Sequence, residues 1–119
     1  MSTETFFDAR MVDDDILAVL IRGSLDSATT EEFDAEIQKH LDAGHTKIII
    51  DCRHLGFLSS VAIGQLVVLQ TRLRRRGGAV KLATVHGPVA EVINVVGLGK
   101  MLDIYPDLEF ARESFYKKK

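Results

Sequence analysis

The chain has 119 residues, with 17 acidic and 15 basic side chains and an apolar fraction of 46%. Because the charges nearly balance, composition gives no electrostatic case for binding nucleic acid or an anionic membrane. The length suits one ordinary domain with a real core, so residues 1–119 are predicted to form a single domain. The single cysteine, Cys52, cannot form an internal disulfide, and the N-terminus lacks a signal-peptide pattern. A cytoplasmic location without a membrane span is therefore expected.

Two strands are predicted at the start of the chain. Residues 5–12 alternate only loosely between polar and apolar, whereas residues 16–21 are nearly all apolar, as expected for a strand covered on both faces. The short acidic turn at residues 13–15 predicts that the two strands pair antiparallel. Gly23 is expected to end the second strand.

A helix is predicted next. Thr29 and Glu32 have the spacing of a capping box, in which each side chain binds the backbone N–H of the other residue. An apolar stripe with a four-residue repeat follows and predicts that one face of this helix is buried. The stripe consists of Phe33, Ile37 and Leu41.

The most informative segment contains two serines between a strand and a helix. Residues 46–52 are short and β-branched, which favours a strand, and residues 65–76 predict a helix. Ser59 and Ser60 then lie near the strand-to-helix turn, where a hydroxyl can cap the helix, and we assign that cap to Ser60. A phosphorylated serine there would face free N–H groups and the positive end of the helix dipole. These properties favour a switch.

The rest of the chain continues to alternate strands and helices. Arginine-rich residues 72–76 suit a helix C-terminus, residues 79–85 predict a strand, and Pro88 opens a third helix that Gly97 is expected to end. A last helix begins at residues 106–107. Strand–helix–strand order predicts parallel pairing with right-handed crossovers. We therefore expect an α/β fold: a small, mostly parallel mixed sheet of four to five strands with helices packed mainly on one face.

Motifs of the common catalytic and metal sites are absent from the sequence. It contains no phosphate-binding loop ending in Lys-Ser/Thr, no His-Glu-x-x-His and no Gly-x-Ser-x-Gly. Cys52 is interpreted as a small apolar residue at a strand end, and the arginine run as a solvated helix end. No catalytic residue, cofactor or metal is therefore expected. The rival from another class is a small hydrolase that uses Ser59 or Ser60 with His54 or His86 as its base.

Several segments, in order over nearly the whole chain, resemble the STAS domain family and, within it, the bacterial anti-sigma factor antagonists. They are residues 23–29 (GSLDSAT), residues 48–64 with the turn FLSSVAIG, and residues 75–78 and 92–102. The resemblance implies a STAS-like fold and a binding module for an anti-sigma factor, commonly also a serine kinase, whose capture frees a sigma factor. It further implies that phosphorylation at the start of the second helix breaks the complex and that a serine phosphatase restores it.

The chain departs from the family pattern at the phosphoacceptor. The family's Asp-Ser-Ser-Gly corresponds to residues 59–62, which read SSVA, so Val61 stands at the acceptor position and has no hydroxyl. Ser60, or less favourably Ser59, is then the phosphorylation candidate. Alternatively, the switch is locked in its binding state, or the domain is a non-phosphorylated subunit of a transporter or sensor complex.

Partner-binding residues are expected at the serine turn and in the loop before the first helix. The loop contributes Leu25, Asp26 and Ser27. Asp26 matches the family's acidic residue near the switch and equally suits a turn or cap. Ile63 is interpreted either as a partner contact or as a core residue. The turn contributes Leu58, Ser59, Ser60, Val61 and Ala62.

Overall fold

Strands and helices alternate along the chain in a computed structural model that describes residues 5–96 and 100–116. The strands are β1 (Phe6–Met11), β2 (Ile16–Leu25), β3 (Lys47–Asp51), β4 (Leu55–Leu58), β5 (Ala79–Ala83) and β6 (Asp103–Tyr105). The helices are α1 (Thr30–Asp42), α2 (Ser60–Arg75), α3 (Gly87–Val96) and α4 (Leu108–Ser114). The helix end predicted at Gly97 lies outside the described residues.

The strands form one mixed sheet in the order β1–β2–β3–β5–β6, and β4 pairs separately with β2. The β1–β2 pair is antiparallel, as the acidic turn predicts, and the other pairs are parallel. The α/β class and the mostly parallel sheet are thus confirmed. The sequence did not predict β4 or β6, which raise the strand number to six in the part of the chain described.

Strand β2 continues past Gly23, so the predicted strand end is wrong. Its first part pairs with β3 as far as Leu20 and Asp51. The register then shifts between Gly23 and Ser24, and the last residues of β2 pair with β4. Gly23 has φ 108°, a left-handed conformation that favours glycine, so this residue bends the strand without ending it. The bend carries Leu25 alongside β4.

The two faces of the sheet are covered unequally. The larger core cluster contains Phe33 of α1, Leu66 of α2 and Val89 of α3, so these three helices cover one face. The smaller cluster joins Ala111 of α4 to Ile49 and its neighbours on the other face. This arrangement confirms that the helices pack mainly on one side.

Helix α1 has the predicted stripe but not the predicted cap. Phe33, Ile37 and Leu41 are all buried. Thr29 has a helical backbone (φ −95°, ψ −8°) and makes no side-chain cap bond, so the capping box is wrong. The physical reason is that its hydroxyl faces the preceding loop, where it accepts from the Asp26 backbone N–H at 2.9 Å and donates to the Ser24 carbonyl oxygen at 2.8 Å.

Helix α4 begins as predicted. The Asp107 carboxylate accepts a hydrogen bond from the Phe110 backbone N–H at 2.9 Å, which caps the helix.

Among all the helices in the described part of the chain, none combines the length and the apolar character needed to cross a bilayer.

Candidate functional site

Helix α2 starts one residue earlier than the sequence-based cap assignment. Ser59 is extended (φ −81°, ψ 164°), and its hydroxyl accepts a hydrogen bond from the Ala62 backbone N–H at 3.1 Å. Ser60 is already the first helical residue. The cap assigned to Ser60 is therefore wrong, because a capping residue needs the extended backbone that only Ser59 has here.

The serine turn is tied to the loop before α1. The Ser59 backbone N–H donates to the Leu25 carbonyl oxygen at 2.8 Å. Strand pairing adds to this link, since Leu25 lies opposite Leu58 in the β2–β4 register. The start of α2 and the 25–27 loop therefore form one corner of the molecule, as the sequence predicts.

Asp26 shapes that loop as a turn residue. Its carboxylate accepts hydrogen bonds from the backbone N–H groups of Ala28 and Thr29, both at 2.9 Å. Bonds from Thr29 and Ala28 hold the pKa of the Asp26 carboxyl below its usual range, because they favour the charged form. Of the two roles open for Asp26, the turn role is the one that the hydrogen bonds support.

Burial divides the predicted partner-binding residues into two groups. Leu25, Leu58 and Ala62 are at most 1% exposed and belong to the larger core cluster. Each of these side chains packs beneath the corner and is not presented to solvent, and their role in partner binding stays a prediction. Ile63, at 6% exposure, is likewise a core residue. These side chains form a rigid support for the residues above them.

The other predicted residues reach solvent. Ser27, Ser60 and Val61 are exposed, with Val61 at 52%, and Asp26 and Ser59 are half-buried. The sequence analysis missed Phe57, which is 44% exposed on β4. Simple strand alternation would not have revealed Phe57, because Leu55, two residues earlier on β4, is buried. The β2–β4 register shifts between these two residues, so the exposure of Phe57 follows from the strand pairing and not from a local pattern. We define the serine-turn surface as Asp26, Ser27, Phe57, Ser59, Ser60 and Val61.

The groups near this surface that could act as nucleophile or base are Cys52, His54, His86 and the two serines. Burial, with a smaller effect from the neighbouring Asp51 charge, raises the pKa of the Cys52 thiol to about 12, so the thiolate is disfavoured. The His86 ring lies 2.8 Å from the Arg53 carbonyl oxygen. Neither Ser59 nor Ser60 has a hydrogen bond to a histidine in residues 5–96 and 100–116. The same residues contain no group of three His, Cys, Asp or Glu that could hold a metal ion.

The other end of α2 is cationic. Arg72 donates to the Gln38 side-chain oxygen at 3.0 Å, and Arg74 lies 3.7 Å from the Asp103 carboxylate. Arg75 and Arg76 are exposed. The run thus ends the helix where cations meet the negative end of the dipole, as the sequence predicts.

A mostly parallel sheet with three helices on one face and an exposed, serine-capped helix start defines one class of small α/β domain. The chain belongs to the STAS domain family, whose model matches residues 9–111. Among similar sequences, BtrV of Bordetella bronchiseptica is 24% identical over 102 residues, covering 86% of this chain and 88% of that protein. RsfA of Mycobacterium tuberculosis, named an anti-sigma-F factor antagonist, is 27% identical over 100 residues, covering 82% and 78%.

Solved structures share the fold. An anti-sigma factor antagonist from Mycobacterium paratuberculosis superposes with a TM-score of 0.85 at 22% identity, covering 96% of each chain. The unphosphorylated form of the antagonist SpoIIAA gives a TM-score of 0.77 at 23% identity, covering 96% of this chain and all (100%) of the other. The phosphorylated form of SpoIIAA from Bacillus gives 0.70 at 23% identity, covering 92% and 99%. The family and the fold expected from the sequence are therefore confirmed.

Proposed function

We propose that this protein is an anti-sigma factor antagonist, a binding module that captures an anti-sigma factor of the serine-kinase type through the serine-turn surface. The observation that carries the proposal is the exposure of Ser60 and Val61 at the start of α2, in a chain of this family. The role named for the relative RsfA supports it. Within the described residues neither serine is hydrogen-bonded to a histidine, so the work proposed for this surface is recognition and not catalysis.

The chemistry of the surface suits a polypeptide partner. Phe57 and Val61 expose apolar area, and the first turn of α2 carries no acidic residue. Partly exposed aromatic and aliphatic side chains on a rigid support are typical anchors of protein interfaces. The buried Leu25, Leu58 and Ala62 hold that support in place. Binding therefore needs little ordering of the free protein.

Phosphorylation, where it occurs, is proposed at Ser60. The Ser60 side chain is exposed, and its hydroxyl has no hydrogen-bond partner within residues 5–96 and 100–116. The Ser59 hydroxyl is half-buried and accepts the bond that caps α2, so modifying it would cost that cap. A phosphate on Ser60 would be stabilised by the helix dipole and would oppose an apolar partner by desolvation and repulsion. A serine phosphatase would then reverse the switch.

Because Val61 has no hydroxyl, two versions of this function are open, and phosphorylation of Ser60 distinguishes them. If Ser60 takes the phosphate, the switch works with its acceptor displaced by one residue. If it does not, the apolar Val61 keeps the surface permanently competent for binding, and the protein is an unregulated antagonist.

Binding is tested by titrating the full chain against each anti-sigma factor encoded in its own genome, using calorimetry. Saturable binding to at least one kinase-type anti-sigma factor is expected. Binding to none of them contradicts the proposal. Binding to a transporter or sensor subunit that is titrated in the same way would favour that alternative role.

Phosphorylation is tested by incubating the chain with the bound kinase and ATP and mapping the product by mass spectrometry. Phosphate on Ser60, lost in Ser60→Ala and kept in Ser59→Ala, supports the switch. Phosphate at another residue contradicts the assignment, and no phosphate in the presence of tight binding identifies the locked form.

A further inference from the structure

A cavity at the end of the molecule opposite the serine turn has a buried lysine in its wall. The cavity is an open, shallow groove of about 520 Å³ between the end of α2, the first residues of β3, β5 and β6, and the C-terminal part of α4. Lys81 of β5 lines it and is 7% exposed. The Lys81 ammonium donates to the Ser114 hydroxyl oxygen at 2.7 Å and lies 4.1 Å from the centre of the Phe115 ring.

No carboxylate in the described part of the chain compensates the charge of Lys81. Burying an ammonium is costly unless an opposite charge pairs with it. Lys81 forms no ion pair with any residue in the described ranges. Of its three N–H donors, only the one directed at Ser114 has a hydrogen-bond acceptor there. As far as the described residues are concerned, two donors of this buried cation are therefore available to a ligand in the cavity.

Two further cations line the same cavity, Lys47 at the start of β3 and Arg74 at the end of α2. Lys81 pairs in register with Ile49, and Lys47 lies two residues before Ile49, so both lysines project from the same face of the sheet. Among the residues that the structure describes, Asp103 is the single carboxylate lining the cavity, and it lies 3.7 Å from Arg74. Lys47 is paired with Asp15 at 2.9 Å, an exposed pair of little energetic weight.

We propose that this cavity binds a small phosphate-bearing ligand, with Lys47, Arg74 and Lys81 contacting the phosphate. Ammonium and guanidinium groups that line one cavity can supply hydrogen-bond donors to the several acceptor oxygens of a phosphate. The volume falls within the range of about 300–1,000 Å³ typical of small-molecule sites, which leaves room for an organic group beyond the phosphate.

A purely structural role for Lys81 accounts for only part of the arrangement. Ser114 is the last residue of α4, so the ammonium also meets the negative end of that helix dipole. This role explains the bond to Ser114. The structural role of Lys81 does not explain why Lys47 and Arg74 line the same cavity.

The test is a titration of the ¹⁵N-labelled full chain by NMR, at ionic strength held constant with chloride, with inorganic phosphate in one series and glycerol phosphate in the other. Saturable shifts are expected at the backbone amides of Gly77, Gly78 and Lys81, and none at Ser60. Tighter binding of glycerol phosphate identifies an organic phosphate as the ligand class, and equal binding identifies the free anion. Shifts that fail to saturate in both series overturn the proposal.

Variants locate the binding. Lys81→Gln is expected to weaken the affinity roughly tenfold or more, the usual effect of losing a charged hydrogen bond. Arg75→Gln, an exposed neighbour of Arg74 outside the cavity, is the matched control and should bind as the parent does. If Lys81→Gln does not fold, Arg74→Gln and Lys47→Gln, both nearer the surface, take its place. Unchanged affinity in the cavity variants, or an equal loss in Arg75→Gln, overturns the site.

Discussion

Helix α2 begins and ends in surfaces of different chemistry. At its start, the exposed Ser60 and Val61 form part of a partly apolar surface that carries no cation. At its end, the last turn carries three arginines, and Arg76 follows. The 16 residues of the helix place these ends about 24 Å apart. That separation exceeds twice the Debye length of about 8–10 Å at physiological salt. The arginines are therefore screened from the serine-turn surface, and the two ends can bind different partners independently.

The packing around the two ends differs as well. Near its start, α2 contains Gly64, which has open space where a side chain would begin. After its end, Gly78 packs directly against the backbone of Thr46. The same glycine-to-alanine change should therefore have opposite effects at the two ends.

The largest effect is expected for Gly78→Ala. Its new methyl carbon would lie 1.9 Å from the Thr46 carbonyl oxygen and 2.6 Å from the carbonyl carbon, so the backbone must move. We expect the free energy of unfolding to fall by about 3 kcal/mol, measured by urea denaturation. Gly64→Ala is the matched control and should raise it by about 0.5–1 kcal/mol, because alanine favours a helix. An equal fall in the free energy of unfolding in both variants would contradict the packing difference between the two ends.

Val61→Asp tests the partner surface at the start of α2. A carboxylate at this position suits the helix dipole, so the fold should survive. In the contact, however, it must be desolvated, and the affinity for the anti-sigma factor identified by titration should fall by about 30-fold, or roughly 2 kcal/mol. Val68→Asp is the control, since Val68 lies on the same helix with 54% exposure against 52% for Val61. A similar loss in both variants would mean that contact is not confined to the helix start.

The sequence predicted the long elements well because their periodicity is set locally. The stripe in α1 and the start of α4 at Asp107 are both visible in residue spacing. Strands β4 and β6 have only four and three residues, too few for a period to appear. Their pairing with β2 and β5 is fixed by tertiary contacts, which no local pattern encodes.

The structure brings the predicted site residues to one corner of the molecule, but it changes the structural roles of several of them. Two adjacent serines can both cap a helix, and the choice falls on Ser59 because its N–H is bound to the Leu25 carbonyl oxygen. Likewise, Leu25 and Leu58 are buried because β2 bends at Gly23 to reach β4. A sequence pattern places these residues together, but only the strand pairing decides which of them face solvent.

Replacing Ser59 should destabilise the protein more than replacing Ser60. Ser59→Ala removes the hydroxyl that accepts from the Ala62 N–H, and the free energy of unfolding should fall by about 1 kcal/mol. Ser60→Ala, one residue inside the helix, should change it by less than about 0.5 kcal/mol. Thermal denaturation of both variants measures this. The reverse order would return the cap to Ser60 and reopen the choice of phosphoacceptor.

The smallest expected effect concerns the pH dependence of the loop that supports the serine turn. Because hydrogen bonds from Thr29 and Ala28 lower the pKa of folded Asp26, its carboxylate favours the folded state above the ordinary aspartate range. This contribution is fully present above about pH 5 and is lost as the pH falls through the lowered folded value. Asp26→Asn keeps an acceptor oxygen without the charge. The difference in free energy of unfolding between parent and variant should stay constant above about pH 5 and shrink in acid. A difference that does not change between neutral and acid pH would show that the Asp26 charge has no part in holding the loop beside Ser59.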